Sequence, residues 1–359
     1  MTDHPYRHAE DRAFWSRAVA ADFAPGAVPD AAPFRLDRND RFMSAGSCFA
    51  ANVRRYLDAW GFEYTVTERP HPQWPESAEA AYYEAFSARY GNIYTARQMV
   101  QLLQRALGHF SPEEDHWVAP DGRFIDPFRP GLTHRASSLN ELRALTGQHL
   151  RAVRRAVETS TTLVFTLGLT EAWVSAADGA VFPACPGTVA GEYDPGRHWY
   201  VNFSLADVSA DLDLMIALLR VINPGIRVIL TVSPVPLVAT ASGRHVLTAT
   251  AYSKSVLRVA ADEVVRRHPD VAYFPAYEIV LGPQNRELPF EKDLRTVREP
   301  IIAAVMRAFR AVFIDEDRAT RDDAGTAPAE RFEELVAAAL SDDCDEMMAD
   351  EKLWVPLSG

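Results

Sequence analysis

The sequence predicts an α/β protein built on a doubly wound parallel sheet. Three observations point there. From Thr161 onward, strand-like and helix-like segments alternate three times. The strand-like runs "TTLVFTLG" and "IRVILTVSPVPL" are apolar and β-branched throughout, not at every second position, which suits strands covered on both faces. An earlier unit, "RFMSAGSCFAANVRRYLDAW", has the same strand-then-helix form.

Taken in order, residues 1–40 read as an arm. A short amphipathic stretch, His8 to Ala20, is followed by "DFAPGAVPDAAPF", whose prolines and glycine favour irregular chain. The first strand is expected at Arg41–Ala45 and a helix from about Cys48 to Trp60, where Phe49, Val53, Tyr56, Leu57 and Trp60 share one side. Residues 62–158 read as a helical insertion after this unit. "SAEAAYYEAFSARY" and "TARQMVQLLQRAL" are helix-like, and "SLNELRALTGQHLRAVRRAVE" is a long helix with a polar start. "APDGRFIDPFRPGL" is a connection with turn chemistry. Beyond the second strand come the helix "SLADVSADLDLMIALLRVI", a third strand and the helix "TAYSKSVLRVAADEVVRRH". A fourth strand opens "VAYFPAYEIV", and "REPIIAAVMRAFRAVF" closes a domain spanning 41–313. Residues 314–359 form a tail.

Charge separates the tail from the body. The chain of 359 residues has a formal net charge of −12, of which −10 falls between Asp315 and Gly359 and −2 on the rest. A near-neutral body with an acidic tail argues against nucleic acid as the main partner. Acid-rich blocks are usually solvated, and the apolar end "LWVPL" would either fold back or meet a protein partner. No apolar run approaches membrane-spanning length, and "MTDHPYRHAEDRAFW" lacks the apolar stretch of a secretory signal, so the expected location is cytoplasmic. Cys48, Cys185 and Cys344 are too few and scattered for a disulfide framework or a zinc site. No metal or organic cofactor is expected.

In an open parallel sheet, ligands bind beyond the carboxyl ends of the strands. Polar residues follow all four expected strands, in "GSCFA", "LGLTEAW", "SPVPL" and "PAYEI". Ser47 stands between a strand end and a helix start, where backbone N–H groups and the helix dipole favour negative charge. Its own N–H would help form an oxyanion hole; the competing role is a helix cap. Cys48 has the low-pKa setting of a helix N-terminus, but neighbouring helical residues face different ways, and a buried inert thiol fits it and Cys185 better.

The blocks "GSCFA", "NIYTARQ", "LGLTEAW", "TVSPVPL", "YSKSVLR" and "YFPAYEIV" occur in order between Arg41 and Phe313. In them the chain resembles the GSCFA family, which belongs among the GDSL/SGNH-type hydrolases. The resemblance implies a flavodoxin-like, SGNH-hydrolase-like three-layer α/β/α fold with Ser47 as nucleophile. It implies further oxyanion donors on a second loop, matched by Gly91 and Asn92 in "YGNIYT", and in a Gly-x-Asn block. There Gly168 matches, but Thr170 takes the asparagine's place.

The departure is the base. The resemblance implies Asp-x-x-His before the final helix; here "EKDLRTV" supplies Asp293 but has Thr296 at the histidine position. A serine without a neighbouring base is a poor nucleophile. His245, after the third strand, His198, and Lys254 are the alternatives, and a lysine base requires burial to lower its pKa. Glu171 and Glu278 each follow a strand end and would orient a base, bind a sugar hydroxyl or form an ion pair. Trp173, Trp199, Tyr200 and Tyr277 are aromatics for a sugar ring or for the core. Two functions follow. One is an SGNH-like serine hydrolase or acyltransferase acting on a small-molecule or carbohydrate ester through a Ser47 acyl-enzyme, the carbohydrate resting on superfamily analogy. The other is a catalytically silent binding protein on the same fold.

Overall fold

The computed structural model describes residues 4–21, 23–47, 50–69, 85–132, 134–285 and 288–315. Along the chain, β1 (Arg41–Gly46) leads into α1 (Ala51–Ala59) and the two-residue β2 (Glu63–Tyr64). Next come α2 (Ala96–Leu107), a small hairpin of β3 (Trp117–Val118) and β4 (Phe124–Ile125), and α3 (Leu139–Thr159). After β5 (Thr162–Leu167) the chain forms β6 (Glu171–Ser175), β7 (Val181–Phe182) and β8 (His198–Asn202). It then runs through α4 (Leu205–Ile222), β9 (Arg227–Val232), α5 (Val246–Arg267), β10 (Val271–Phe274), α6 (Ala276–Leu281) and α7 (Glu299–Phe313).

Five strands lie side by side in the order β10-β9-β5-β1-β2, all parallel. Numbered within this sheet the order is 2-1-3-4-5, the flavodoxin-like arrangement. Period-two side-chain alternation divides the core into two layers. Met43, Leu163, Phe165, Val228 and Leu230 pack with α2 to α5. Phe42, Val164, Ile229 and Ala272 pack with α1, α6 and α7. The arm ends by joining the second layer: Leu36 is buried, its N–H donates to Phe313 O at 2.7 Å, and Arg35 donates to the carbonyls of Ala311, Val312 and Ile314.

Three features differ from the expectation. The segment 62–158 is not purely an inserted helical unit, because it opens with β2, the edge strand of the main sheet, and α3 returns the chain to β5. Much of "SAEAAYYEAFSARY" lies outside the described residues, and its described end, from Ala85, is a buried bend and not helix. Third, residues 171–202 form a three-stranded antiparallel sheet, β7-β6-β8, above the carboxyl edge of β5. Its first turn is built on Asp178, whose carboxylate accepts from Ala180 N at 3.0 Å, and on Gly179 at φ +75.

Candidate active site

The carboxyl end of β1 is shaped by a glycine. Gly46 has φ +133, and a Cβ there would stand 2.2 Å from Thr166 O on β5. Only glycine lets the backbones approach this closely and turn the next residue out of the sheet. That residue is Ser47, 4% exposed. Its N–H donates to Thr166 O at 3.2 Å and its carbonyl accepts from Ala50 N at 2.7 Å. Ala50, not Ser47, is the cap of α1, and no side chain caps that helix. The Ser47 hydroxyl is buried and has no hydrogen-bond partner among the described residues. A buried unbonded hydroxyl costs about 1–3 kcal/mol, so a fold that keeps one has a use for it.

Ser47 borders a cavity of about 220 Å³ above the sheet's carboxyl edge, together with Tyr94, Gly168, Ser233, Lys254 and Arg295. Gly168, just past β5, is squeezed between neighbours: a Cβ would stand 3.0 Å from Tyr94 O and 3.4 Å from Ser47 Cβ. Tyr94 O accepts from Gly168 N at 3.1 Å and from Leu169 N at 3.0 Å. The second loop is fixed in turn by α2. Thr95 and Gln98 form a reciprocal cap, and Gln98 Oε1 accepts from Tyr94 N at 2.9 Å and Thr95 N at 2.8 Å. From the α5 side, Lys254 is 2% exposed and its Nζ donates to Gly168 O at 2.6 Å. Gly168 thus touches both Ser47 and the lysine ammonium position.

The sequence-selected residues divide. Ser47, Gly168 and Glu171 line the cavity. His245 does not reach it: it is an exposed cap of α5, its Nδ1 accepting from Leu247 N at 3.2 Å. His198 is buried elsewhere, bonded to Glu114 Oε2 at 3.0 Å and to Asp194 N at 3.1 Å. Asp293 is exposed and closes a turn, accepting from Thr296 Oγ1 at 2.6 Å and from the N–H groups of Arg295 and Thr296. Thr170 is fully buried outside the lining, donating to Asn202 Oδ1 at 2.7 Å. Gly91 supplies the second loop with φ +67, and Asn92 is buried against a separate, small cavity near His149. Glu278 accepts from Arg258 Nε at 2.6 Å and Tyr273 OH at 2.9 Å, an ion-pair role away from Ser47. Cys48 lies outside the described residues. Cys185 borders the cavity, but burial pushes its thiol up to about 11, so it stays a thiol at neutral pH. Of the four aromatics, Trp173 and Tyr200 line the cavity.

Among the lining residues not singled out, Arg295 and Tyr94 bear most on the chemistry. Arg295 sits inside the block in which a histidine was sought. Leu294, the one described non-glycine residue with positive φ, at +56, swings the chain so that Arg295 faces the cavity and Thr296 faces out. Tyr94 lies two residues beyond the selected Gly91–Asn92 pair.

Fold and site together define an α/β protein of flavodoxin-like strand order, with a buried serine at the carboxyl edge of its first strand whose hydroxyl has no hydrogen-bond partner among the described residues. The chain belongs to the GSCFA family, whose model matches residues 41–309. No curated protein matches it in sequence. Solved structures similar in fold include a Clostridium thermocellum family 3 carbohydrate esterase, 10% identical, covering 76% of this chain and 93% of that one with a TM-score of 0.32. A family 3 carbohydrate esterase from Talaromyces cellulolyticus is 10% identical over 75% of this chain and 94% of that one, TM-score 0.33. An acetyl esterase mutant with an acetate ion is 9% identical over 75% and 93%, TM-score 0.33. Among the described residues no helix is long and apolar enough to cross a membrane.

Proposed function

We propose that this protein is a serine ester hydrolase or acyltransferase of the SGNH type, with Ser47 as nucleophile and Lys254 as its base. One observation carries the reading: a buried hydroxyl with no hydrogen-bond partner among the described residues borders a cavity that a buried lysine also lines. Among the described residues no histidine borders that cavity, which is why the base falls to Lys254 and not to His245. Lys254 has the burial that a basic lysine requires, and its bond to Gly168 O anchors Nζ at the rim of the cavity that Ser47 also lines.

The reaction runs in two halves. Neutral Lys254 takes the proton from Ser47 as Oγ bonds to the acyl carbon and the carbonyl electrons move to oxygen. Collapse breaks the bond to the alcohol, which receives the proton from Lys254. Water or a second alcohol then attacks the acyl-enzyme, gives its proton to Lys254, and Ser47 recovers that proton as the acyl group departs. The Ser47, Gly168 and Leu169 N–H groups are engaged by carbonyls, so the developing negative charge falls to the Arg295 guanidinium and the N-terminal end of α1. An O-acylated carbohydrate remains one candidate substrate, with its sugar as the departing alcohol.

The test is intact-mass labelling with a fluorophosphonate. Wild type is expected to gain one adduct, faster as pH rises because the base acts neutral. Ser47→Ala abolishes it. Lys254→Met, with its fold checked by circular dichroism, slows it about a hundredfold or more. No adduct from neutral to alkaline pH would make the protein a ligand binder, the second reading that the turn closed by Asp293 and Thr296 favours. Unchanged labelling in Lys254→Met would remove the lysine from its role.

A further inference from the structure

Most of the cavity wall away from Ser47 is hydrocarbon. Leu169, Trp173, Pro183, Val235, Pro236 and Leu237 supply it, from the β5 exit, the antiparallel sheet and the loop after β9. Of the polar side chains set into that wall, Glu171, Thr188, Ser233 and Thr240 are already bonded to protein. Glu171 Oε1 accepts from Thr240 Oγ1 at 2.8 Å. Thr188 Oγ1 donates to Cys185 O at 2.7 Å, and Ser233 Oγ accepts from Val235 N at 3.3 Å. The Tyr200 phenol is the exception: it lies against Glu171 with no hydrogen-bond partner among the described residues, and burial and then that carboxylate's charge push it up to about 12, which leaves one polar point in a wall otherwise apolar or bonded. A sugar ring asks for polar groups free to read its hydroxyls, and a binding site that must discriminate hydroxyls has them unpaired before binding. An alkyl chain asks only for apolar area.

Size sets the length. A cavity of about 150 Å³ accommodates the six carbons of benzene. At about 220 Å³, this one has room for roughly eight carbons by the same measure. From these observations we infer that the apolar wall is the acyl pocket, and that the ester carries an unbranched aliphatic acyl chain of about four to eight carbons. This rests on the hydrolase reading above and narrows it: a carbohydrate, if one is the alcohol, stays outside this cavity. The loop after β9 is the length gauge, because Val235 and Leu237 close the wall and the Thr240–Glu171 bond ties the loop to β6.

The experiment measures kcat/KM for p-nitrophenyl acetate, butanoate, hexanoate, octanoate and dodecanoate, alongside fluorophosphonate labelling. Each methylene that enters the pocket is expected to raise kcat/KM about fourfold, to a maximum between butanoate and octanoate, with dodecanoate slower than the maximum. Leu237→Ala lengthens the pocket and moves the optimum to a longer chain; Val235→Trp shortens it and moves the optimum toward acetate. A labelled enzyme that prefers acetate, with rates falling from the first methylenes, would overturn the acyl-pocket inference while leaving Ser47 as nucleophile. So would a chain-length profile that both variants leave unmoved. Absence of labelling and of turnover with every ester would overturn the hydrolase reading itself, and this inference with it.

Discussion

Ser47 and the two glycines around it are a geometric unit, and the glycines differ in what they do. At Gly46 an added Cβ meets the backbone of Thr166 at 2.2 Å and must also adopt φ +133. Backbone cannot swing aside as a side chain can, so Gly46→Ala is expected to lose about 3 kcal/mol or more of stability. At Gly168 the contacts are 3.0 Å to Tyr94 O and 3.4 Å to Ser47 Cβ. A few tenths of an ångström relieve them, so Gly168→Ala should lose only about 1 kcal/mol. The groups that give way there, however, are Ser47 and the Tyr94 loop, so its fluorophosphonate labelling should slow by about tenfold or more. Urea unfolding and labelling rates together check this; equal stability losses, or unimpaired labelling in Gly168→Ala, would contradict it. At this scale the sequence marked Ser47 and Gly168 because a serine after a strand-ending glycine has a local signature. Lys254 drew attention mainly by rarity, being one of three lysines. Arg295 was not legible, because its direction depends on the positive φ of Leu294, and nothing about a leucine announces that conformation.

At the scale of elements, a buried charged network backs residues 89 and 90, just ahead of the Tyr94 loop that α2 caps. Glu68 Oε2 accepts from Arg89 N at 2.9 Å and lies 2.7 Å from His149 Nδ1 on α3. Arg129 donates to Asp126 Oδ2 at 2.9 Å and to Arg89 O at 3.3 Å. Tyr90 OH donates to Ser44 O on β1. Removing one member leaves the others buried and short of partners. Glu68→Gln should therefore cost about 3 kcal/mol, and it should raise amide hydrogen exchange across 85–95 relative to the sheet. A variant with native exchange in that loop would show that the network does not hold it. The parallel strands were legible because strands covered on both faces need continuous apolar runs. β2 was not, since two residues carry no periodicity. The antiparallel sheet was not anticipated although Asp178-Gly179 is a hairpin turn signal, because attention at that strand end went to the block "LGLTEAW" as a source of site residues. The residues from Ala85 read as helix on composition, but their burial in the network demands irregular chain, a tertiary effect that overrides propensity.

The whole molecule inherits a pH dependence from the same network. The charged partners Arg129 and Arg105 outweigh burial at Asp126 and take its carboxyl from 3.8 to about 2. Burial raises Glu68, but its His149 hydrogen bond and the surrounding positive charge bring it below the ordinary carboxylate value. Burial and the Arg129 charge lower His149 from 6.5 to about 4. For the two acids, the folded state binds its proton less readily than the unfolded chain. Their stabilisation is complete above their ordinary values of 3.8 and 4.5 and disappears as pH falls through the folded ones. For His149 the unfolded chain takes up a proton below 6.5 while the folded state stays neutral, so stability also falls with pH there. All three act in one direction; Asp211, which burial raises, opposes them in the carboxylate range. Unfolding free energy should therefore be level between about pH 7 and the 9.0 at which an unfolded Cys185 thiol ionises, decline below that range, and fall steeply below about 4.5. The Asp126 share alone, a shift from 3.8 to about 2, is worth ~2 kcal/mol. Asp126→Asn should be less stable than wild type at neutral pH and nearly equal to it at the acid end, because the variant has no carboxylate left to protonate. Urea unfolding across the pH range measures both curves, and parallel curves would mean that Asp126 does not carry this dependence.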